Sequence, residues 1–220
     1  MDQQFEVPVK PYREKDRISI AISGASGAQY ALRLIEVLVR RGYPVNVLLT
    51  SAALMVLALE MEIHLGNSIH EQKKRLMTRF AIEDEDLLNI YSEKDWTAPL
   101  ASGSNTSKAM VICPCSMGML AAVATGQSNN LIERAADVMI KERKHLMLVV
   151  REAPFNQIHL ENMLMLSKMN VQIMPANPGF YHQPQTVEDI IDFMVARILD
   201  QLNVPHDLMQ PWGDKAVSKS

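Results

Sequence analysis

Short, almost wholly apolar segments alternate along this chain with longer segments whose apolar residues recur every three or four positions. Segments of the first kind occupy residues 18–22, 45–49 and 146–150. Such runs are typical of strands in a parallel sheet that is covered on both faces. Between the first two, spacings of three and four residues predict a helix with one buried face. That face comprises Ala31, Leu34, Ile35, Leu38 and Val39.

The same alternation continues to the end of the chain and predicts an α/β fold. Residues 62–94 are polar and mixed, which favours a helix there, and the Ser-, Gly-, Pro- and Asn-rich residues 96–107 predict a loop. Strands that alternate with helices predict a three-layer, doubly wound parallel sheet. The remaining predicted strands are 110–113 and 171–174. The remaining predicted helices are 51–60, 131–143, 157–169 and 186–202, and a further helix follows 114–116 and ends at Ala124.

Composition narrows the class of protein. The chain has 220 residues, 48% of them hydrophobic, which is enough for one compact domain. A net charge of −3 does not favour a nucleic-acid partner. The polar N-terminal residues contain no signal-like apolar core, and the most apolar stretch, 109–125, is too short and too interrupted for a membrane span. Two cysteines that are separated only by Pro114 indicate a reduced, cytoplasmic setting.

Ligands of doubly wound sheets bind beyond the carboxyl ends of the strands, so the residues that follow each strand are the candidates. The turn from Gly24 to Gly27 is made of small residues that let a phosphate approach a helix N-terminus. Thr50 and Ser51 stand where a dinucleotide fold has an acidic residue, which favours a mononucleotide. A tight turn that binds no ligand is the alternative.

Two further strand ends carry candidate chemistry. The Cys113–Ser116 segment predicts a second small-residue turn. The alternative is that both cysteines are small core residues. A metal site is not expected, because zinc usually has four protein ligands. Arg151 and Glu152 follow the strand at 146–150, where an arginine can clamp a phosphate and a carboxylate can act as acid or base. A surface ion pair is the alternative.

Basic and aromatic residues elsewhere suggest an anionic substrate. Arg134 and Lys141 are seven residues apart and share one face of a predicted helix, which could hold an anionic group. A solvated helix face is the usual explanation for such charges. Tyr181 lies in a loop where it could bind phosphate or anchor a contact, and Arg197 lies within an otherwise apolar helix. The acidic cluster at 83–86 lacks the pattern that holds magnesium and a diphosphate.

Several motifs together resemble the UbiX-type flavin prenyltransferase family. They are SGASGA at 23–28, CPCS at 113–116, NLIERAADV at 130–138, KER at 141–143, VREAP at 150–154 and PGFYHQP at 178–184. The resemblance implies a flavodoxin-like Rossmann fold at 17–205, with 1–16 a flexible arm and 206–220 a tail. It implies transfer of a dimethylallyl group from dimethylallyl monophosphate to N5 and C6 of reduced FMN without a metal. The resemblance also implies a homododecamer with active sites at subunit interfaces. It further implies a partner decarboxylase of ubiquinone synthesis that uses the prenylated FMN.

The resemblance also assigns residues. Glu152, Lys141 and Ser26 are the catalytic candidates, with Glu152 as acid or base. The FMN contacts are Gly24, Ala25, Ser26, Ser51, Cys115, Ser116, Met117, Gly118 and Arg151. The prenyl phosphate is assigned to Arg134, Lys141, Tyr181 and Arg197. Trp96, Ser102 and Gly103 resemble the family's segment that covers the flavin and the prenyl group.

Two other functions remain open at this point. A flavin-dependent cysteine-type decarboxylase would share the fold, and a catalytic histidine in the first helix region would favour it, but that region has none. A flavin-binding subunit of a decarboxylase complex would bind FMN without forming a product, and it would give no reason to retain Glu152 together with Lys141 and Tyr181.

Overall fold

The computed structural model describes residues 12–210, which fold around one parallel sheet of six strands. The strand order is β3-β2-β1-β4-β5-β6, and every neighbouring pair is parallel. This is the order of a Rossmann sheet, and without β3 it is the flavodoxin order. The strands are β1 (Ile18–Ile22), β2 (Val45–Leu49), β3 (Leu88–Ser92), β4 (Ala109–Cys115), β5 (His145–Val150) and β6 (Gln172–Pro175).

Helices cover both faces of the sheet, which confirms the predicted three layers. The helices are α1 (Ala28–Arg40), α2 (Ser51–Met61), α3 (Ile69–Phe80), α4 (Met117–Ala124), α5 (Leu131–Lys141), α6 (Gln157–Lys168) and α7 (Val187–Gln201). One buried cluster joins the sheet to α1, α2, α3 and α7, and a second joins the opposite face to α4, α5 and α6. Within residues 12–210, no helix is long and apolar enough to cross a bilayer.

The sequence-based prediction was incomplete between residues 62 and 94. It expected helix there, and α3 supplies one, but β3 also lies in this segment at the edge of the sheet. Its sequence, LNIYS, has Leu88 and Ile90 buried on one face of the sheet, while the side chains on the other face are half-buried. Only one of its edges is paired. An edge strand of this kind lacks the continuous apolar run that identified the other strands.

A loop replaces a helix over part of the second face. Ala98 and Leu100 are buried against the side of the sheet that carries Leu48 and half-buried Tyr91. The predicted loop at 96–107 contains two short 3-10 turns, Pro99–Ala101 and Gly103–Asn105, and the first contacts α5. Burial raises the pKa of Tyr91 to about 12. This loop therefore places the predicted prenyl-covering residues beside α5.

The predicted domain boundaries lie at 17 and 205, and described residues on the outer side of both contact the folded unit. Glu14 accepts hydrogen bonds from Asn46 and from the hydroxyl of Ser107, the latter at 3.3 Å, and its side chain is only 8% exposed. Leu208 and Met209 pack against the first core cluster. The described part of the predicted arm and tail thus belongs to the folded unit, and residues 1–11 and 211–220 lie outside the described residues.

Helix α7 begins with a pH-sensitive cap. Asp189 accepts hydrogen bonds from the backbone N–H groups of Gln185 at 2.8 Å and Thr186 at 3.0 Å, and these bonds lower its pKa from 3.8. A lowered pKa contributes stability above the unfolded value, and this contribution is lost as pH falls through the folded value.

We therefore expect Asp189→Asn to flatten the loss of thermal stability at acid pH. Melting temperatures measured between about pH 5 and pH 3 should fall more steeply for the wild type than for the variant. Glu188→Gln, in the same exposed helical turn, is the matched control and should keep the wild-type slope. Parallel slopes for wild type and Asp189→Asn would contradict the assignment.

Candidate functional site

Three loops meet at the point where the strand order reverses. They follow β2, β1 and β4, which are neighbours in the sheet, and each leads into a helix. The three helices begin at the N-caps Gly27, Thr50 and Ser116. Free N–H groups and the positive ends of three helix dipoles therefore gather at one edge, which is a favourable place for a phosphate.

Ser23 joins the loop that follows β1 to the loop that follows β4. Its hydroxyl donates to the carbonyl of Pro114 at 2.8 Å and accepts from the N–H of Ser116 at 2.8 Å. The side chain is 1% exposed, so both bonds are shielded from water. The two small-residue turns are thus held in a fixed relative position before any ligand binds. Gly24, Ala25 and Ser26 follow directly in the same turn.

Gly24 lies too close to α2 for any side chain. A Cβ at this position would lie 2.5 Å from the Cβ of Ala52. The glycine therefore lets the β1–α1 turn approach the first turn of α2, where Ser51 lies. This close approach brings two of the three loops into one cradle.

We expect Gly24→Ala to weaken flavin binding about tenfold and to destabilise the fold by about 1–3 kcal/mol, because overpacking separates the turn from α2. Fluorescence titration with FMN and thermal unfolding measure the two effects. Adding Ala52→Gly removes the opposing Cβ and should recover most of the affinity. No recovery in the double variant would show that the contact between these two positions is not the cause.

The second predicted turn is partly strand. Residues 114 and 115 were expected in a turn, but β4 continues through Cys115, and the register shifts between Ile112 and Cys115. Both cysteines are fully buried, and burial raises the pKa of each thiol. Cys113 and Cys115 are therefore protonated core residues, and Cys115 does not present its side chain at the surface of the site.

The turn proper starts at Ser116. This residue caps α4 with its side chain, which accepts from the N–H of Met119 at 3.3 Å. Met117 is buried, whereas Gly118 is exposed with open space where a Cβ would be. Of the predicted flavin contacts in this segment, Ser116 and Gly118 have exposed or half-buried surfaces.

Two carboxylates that the sequence did not reveal face this edge. The N–H of Gly27 donates to Glu60 at 3.0 Å, so a carboxylate from the last turn of α2 occupies the N-terminus of α1. Ser51 donates its hydroxyl to Glu93 at 2.8 Å. Neither glutamate directly follows a predicted strand, and β3, which places Glu93, was not predicted. Only the tertiary structure could place them here.

Arg151, the predicted phosphate ligand, lies beside the β4–α4 turn. Its N–H donates to the carbonyl of Cys115 at 3.1 Å, which holds it there. The Nε atom is shielded from solvent and has no hydrogen-bond partner among residues 12–210. A buried guanidinium nitrogen without an acceptor fits an anionic ligand. The residues present therefore fit the phosphate of a mononucleotide.

Glu152 follows with an exposed side chain. Its Oε1 atom accepts from the N–H of Ala153 at 3.1 Å, which turns the carboxylate back along the chain. The surface ion pair that was the alternative for Arg151 and Glu152 does not form, since the two side chains are not paired in the structure. Glu152 thus retains an accessible carboxylate next to the predicted phosphate ligand.

Residues assigned to the prenyl phosphate form a first group around α5. Arg134 donates through Nε to the carbonyl of Ala101 at 3.0 Å and pairs with Asp137 at 2.8 Å. Lys141 pairs with Glu142, and its hydrogen bond lowers the pKa of that carboxyl. A Cβ on Gly103 would lie 2.6 Å from Nζ of Lys141, so this loop and this helix touch. Exposed Ser102 and half-exposed Trp96 lie in the same loop segment.

Tyr181 and Arg197 form a second group on the other face of the sheet. Tyr181 packs against Phe193 of α7 with ring centroids 5.7 Å apart. Arg197, on the same helix, pairs with Asp200 at 2.6 Å. Because α5 and α7 belong to opposite layers, one chain does not bring Lys141 together with Tyr181 and Arg197. The predicted phosphate-binding set is therefore divided within the subunit.

Known proteins match this chain over most of its length. The sequence model of the Flavoprotein family matches residues 7–199. The flavin prenyltransferase UbiX of Pseudomonas aeruginosa is 52% identical over 200 residues, which are 91% of this chain and 95% of that protein. The chain belongs to the UbiX flavin prenyltransferase family. The resemblance drawn from the motifs is thereby confirmed.

Solved structures of UbiX proteins share the architecture. A UbiX protein (PadA1) in complex with FMN and dimethylallyl pyrophosphate has a TM-score of 0.80 and 32% identity, and the match covers 90% of this chain and 97% of that one. A dodecameric FMN-dependent UbiX-like decarboxylase from Escherichia coli O157:H7 has a TM-score of 0.79 and 33% identity, covering 89% and 98%. The predicted flavodoxin-like Rossmann fold is confirmed.

Proposed function

We propose that this UbiX-family protein transfers a dimethylallyl group from dimethylallyl monophosphate to N5 and C6 of reduced FMN. The observation that carries the proposal is the shielded Nε of Arg151, which has no hydrogen-bond partner among residues 12–210, in a residue held beside the β4–α4 turn. An anion-binding site for one phosphate, in a chain 52% identical to a flavin prenyltransferase, supports FMN as the bound nucleotide.

The flavin site consists of the turns that Ser23 holds together. Gly24 and Ser26 offer backbone N–H groups and a hydroxyl to the phosphate, and Arg151 neutralises its charge. Ala25, whose N–H donates to the carbonyl of Ser23 at 3.0 Å, lines the same turn. Ser51, Ser116 and Gly118 line the same edge of the sheet. Reduced FMN supplies N5 and C6 as the nucleophilic positions of the reaction.

The prenyl phosphate requires positive charge at its leaving oxygen. A monophosphate leaves poorly, and preorganised cationic and hydroxyl donors stabilise the negative charge that develops on it. Arg134, Lys141, Tyr181 and Arg197 supply such donors without a metal ion, and Trp96 shelters the allylic group. As N5 bonds to the allylic carbon, the carbon–oxygen bond breaks, phosphate departs with the electron pair and N5 loses its proton. In ring closure a proton adds to the prenyl double bond, C6 bonds to the resulting cation and the C6 proton is lost, and Glu152 gives and takes these protons.

The division of this set between two layers supports a site shared by subunits. We propose that α5 of one subunit and α7 of another complete each site in a homododecamer, the assembly named for the E. coli relative. Exposed apolar side chains support subunit contacts, including Leu59 on α2 and Ile158 and Leu164 on α6, which are 78%, 64% and 55% exposed.

Three further assignments belong to the same proposal. The prenylated FMN passes to a partner decarboxylase of ubiquinone synthesis. The two reduced thiols of Cys113 and Cys115 support a cytoplasmic location. The catalytic domain extends beyond 17–205, from about Glu14, whose side chain is hydrogen-bonded and only 8% exposed, through Met209, which packs on the core.

Anaerobic incubation with reduced FMN and dimethylallyl monophosphate, in the presence of EDTA, tests the proposal. We expect a flavin whose mass has increased by one dimethylallyl group, and the same yield with and without the chelator. Unchanged flavin mass would contradict prenyl transfer, and loss of product only with EDTA would contradict the metal-free mechanism. Flavin binding without product would instead favour a flavin-binding subunit.

A further inference from the structure

Three aromatic rings pack together next to α7. The imidazole of His182 stacks on Phe193 with centroids 5.1 Å apart and an angle of 16° between the planes. Tyr181 meets both rings edge-on, at 5.8 Å from His182 and 5.7 Å from Phe193. Phe193 is 8% exposed and belongs to the core, so it is the fixed member of this ring cluster (Tyr181, His182 and Phe193). Edge-to-face and offset-stacked contacts restrict the orientation of such rings.

Gly179 completes the packing from the other side. A Cβ at this position would lie 3.0 Å from Cζ of Phe193 and 3.1 Å from Cε1 of Tyr181. The chain therefore passes close over two of the three rings, and even a methyl group would push them apart. This close contact limits the positions that Tyr181 can take.

The nitrogens of His182 do not explain its place in the structure. Both Nδ1 and Nε2 are shielded from solvent, and neither has a hydrogen-bond partner among residues 12–210. Besides an electrostatic interaction with Asp189, the observed contacts of this side chain are ring contacts, to Phe193 and Tyr181. The ring is therefore the feature through which His182 acts on Tyr181.

The ring cluster also relates Tyr181 to Arg197. Phe193 and Arg197 are four residues apart on α7 and thus share one face of the helix. The loop that carries Tyr181 and His182 is fixed at its far end by the Thr186 cap of α7. Because one end is held by this cap and the other by the rings, the phenol keeps a defined position relative to the guanidinium.

We propose that His182 is a positioning residue, whose ring holds Tyr181 against Phe193 so that Tyr181 and Arg197 bind the prenyl phosphate together. This inference rests on the proposed function and adds a residue to which neither the sequence motifs nor the charge pattern had assigned a role. His182 acts through Tyr181 and does not itself contact the substrate.

His182→Ala and His182→Phe separate the ring from its nitrogens. In steady-state assays of prenylated FMN formation, we expect His182→Ala to lower kcat/KM for dimethylallyl monophosphate about 10- to 100-fold, because a small displacement of a binding group has effects of this size. His182→Phe keeps a flat ring, so its kcat/KM should stay within about threefold of the wild-type value, a much smaller change than that of His182→Ala. His70→Ala, an exposed histidine on α3, is the control and should match the wild type. The dissociation constant of FMN should not change in any variant.

A double-mutant cycle with Tyr181→Phe tests whether His182 acts through Tyr181. If it does, adding His182→Ala to Tyr181→Phe should lower kcat/KM little further, because the effects of coupled residues are not additive. Gly179→Ala leaves the His182 side chain unaltered but crowds the rings of Phe193 and Tyr181, and it should lower kcat/KM as His182→Ala does. It tests the proposal even if His182→Ala folds poorly.

Three results would overturn the proposal. They are a fully active His182→Ala variant, a His182→Phe variant as impaired as His182→Ala, and strictly additive losses in the cycle. Wild-type protein that forms no prenylated flavin would refute the proposed function itself, and the wild-type arm of the same assay distinguishes that outcome.

Discussion

Glu152→Gln should leave FMN binding intact while it slows formation of prenylated FMN by about 10²- to 10⁴-fold, the usual contribution of a general acid or base. The substitution preserves the size of the side chain and its carbonyl acceptor, so the hydrogen bond from the N–H of Ala153 can persist. It removes only the ability to accept and return a proton. The affinity for FMN should hold because Arg151 supplies the charge that the phosphate requires.

Single-turnover experiments under anaerobic conditions measure this effect most directly. Prenylation of reduced FMN is followed by mass spectrometry after mixing with excess dimethylallyl monophosphate, and FMN affinity is measured separately by titration. Glu83→Gln removes one exposed carboxylate far from the carboxyl ends of the strands and serves as the control. An unchanged single-turnover rate for Glu152→Gln would remove this residue from the mechanism.

Subunits that carry Lys141→Ala and Arg197→Ala should each be nearly inactive alone and active when they assemble together. Loss of one donor to the leaving phosphate is expected to lower kcat by about 10²- to 10³-fold. In mixed oligomers, some sites take an intact α5 from one subunit and an intact α7 from another. For random 1:1 assembly, about a quarter of the sites combine the two intact helices in a symmetric oligomer.

Co-expression with two different affinity tags yields the mixed oligomers for this assay. Lys141→Ala combined with Arg134→Ala is the matched control, because both substitutions lie on α5 and no subunit then offers an intact α5. This pair should remain inactive. If Lys141→Ala and Arg197→Ala also fail to complement, each site must draw both residues from one subunit, which the opposite layers of α5 and α7 make geometrically difficult.

Local sequence was sufficient for most of the fold. The apolar runs that became β1, β2 and β5 and the periodic face of α1 were predicted correctly because burial on both sides of a parallel sheet imposes continuous apolar sequence. The candidate residues after these strands, from Gly24 to Arg151, lie at one edge of the sheet, as the topology requires. The motifs were specific enough to indicate the family.

Long-range packing decided what the pattern could not. Strand β3 escaped notice because an edge strand needs no continuous apolar run, and Cys115 proved to be a core residue at the end of a longer strand. Glu60 and Glu93 reach the site from elements that carry no local motif. The division of Arg134 and Lys141 from Tyr181 and Arg197 depends on the sheet face that each helix covers. Sequence periodicity reports that a helix buries one side, but the same apolar face would fit either side of the sheet, so only the assembled layers determine which charges can meet.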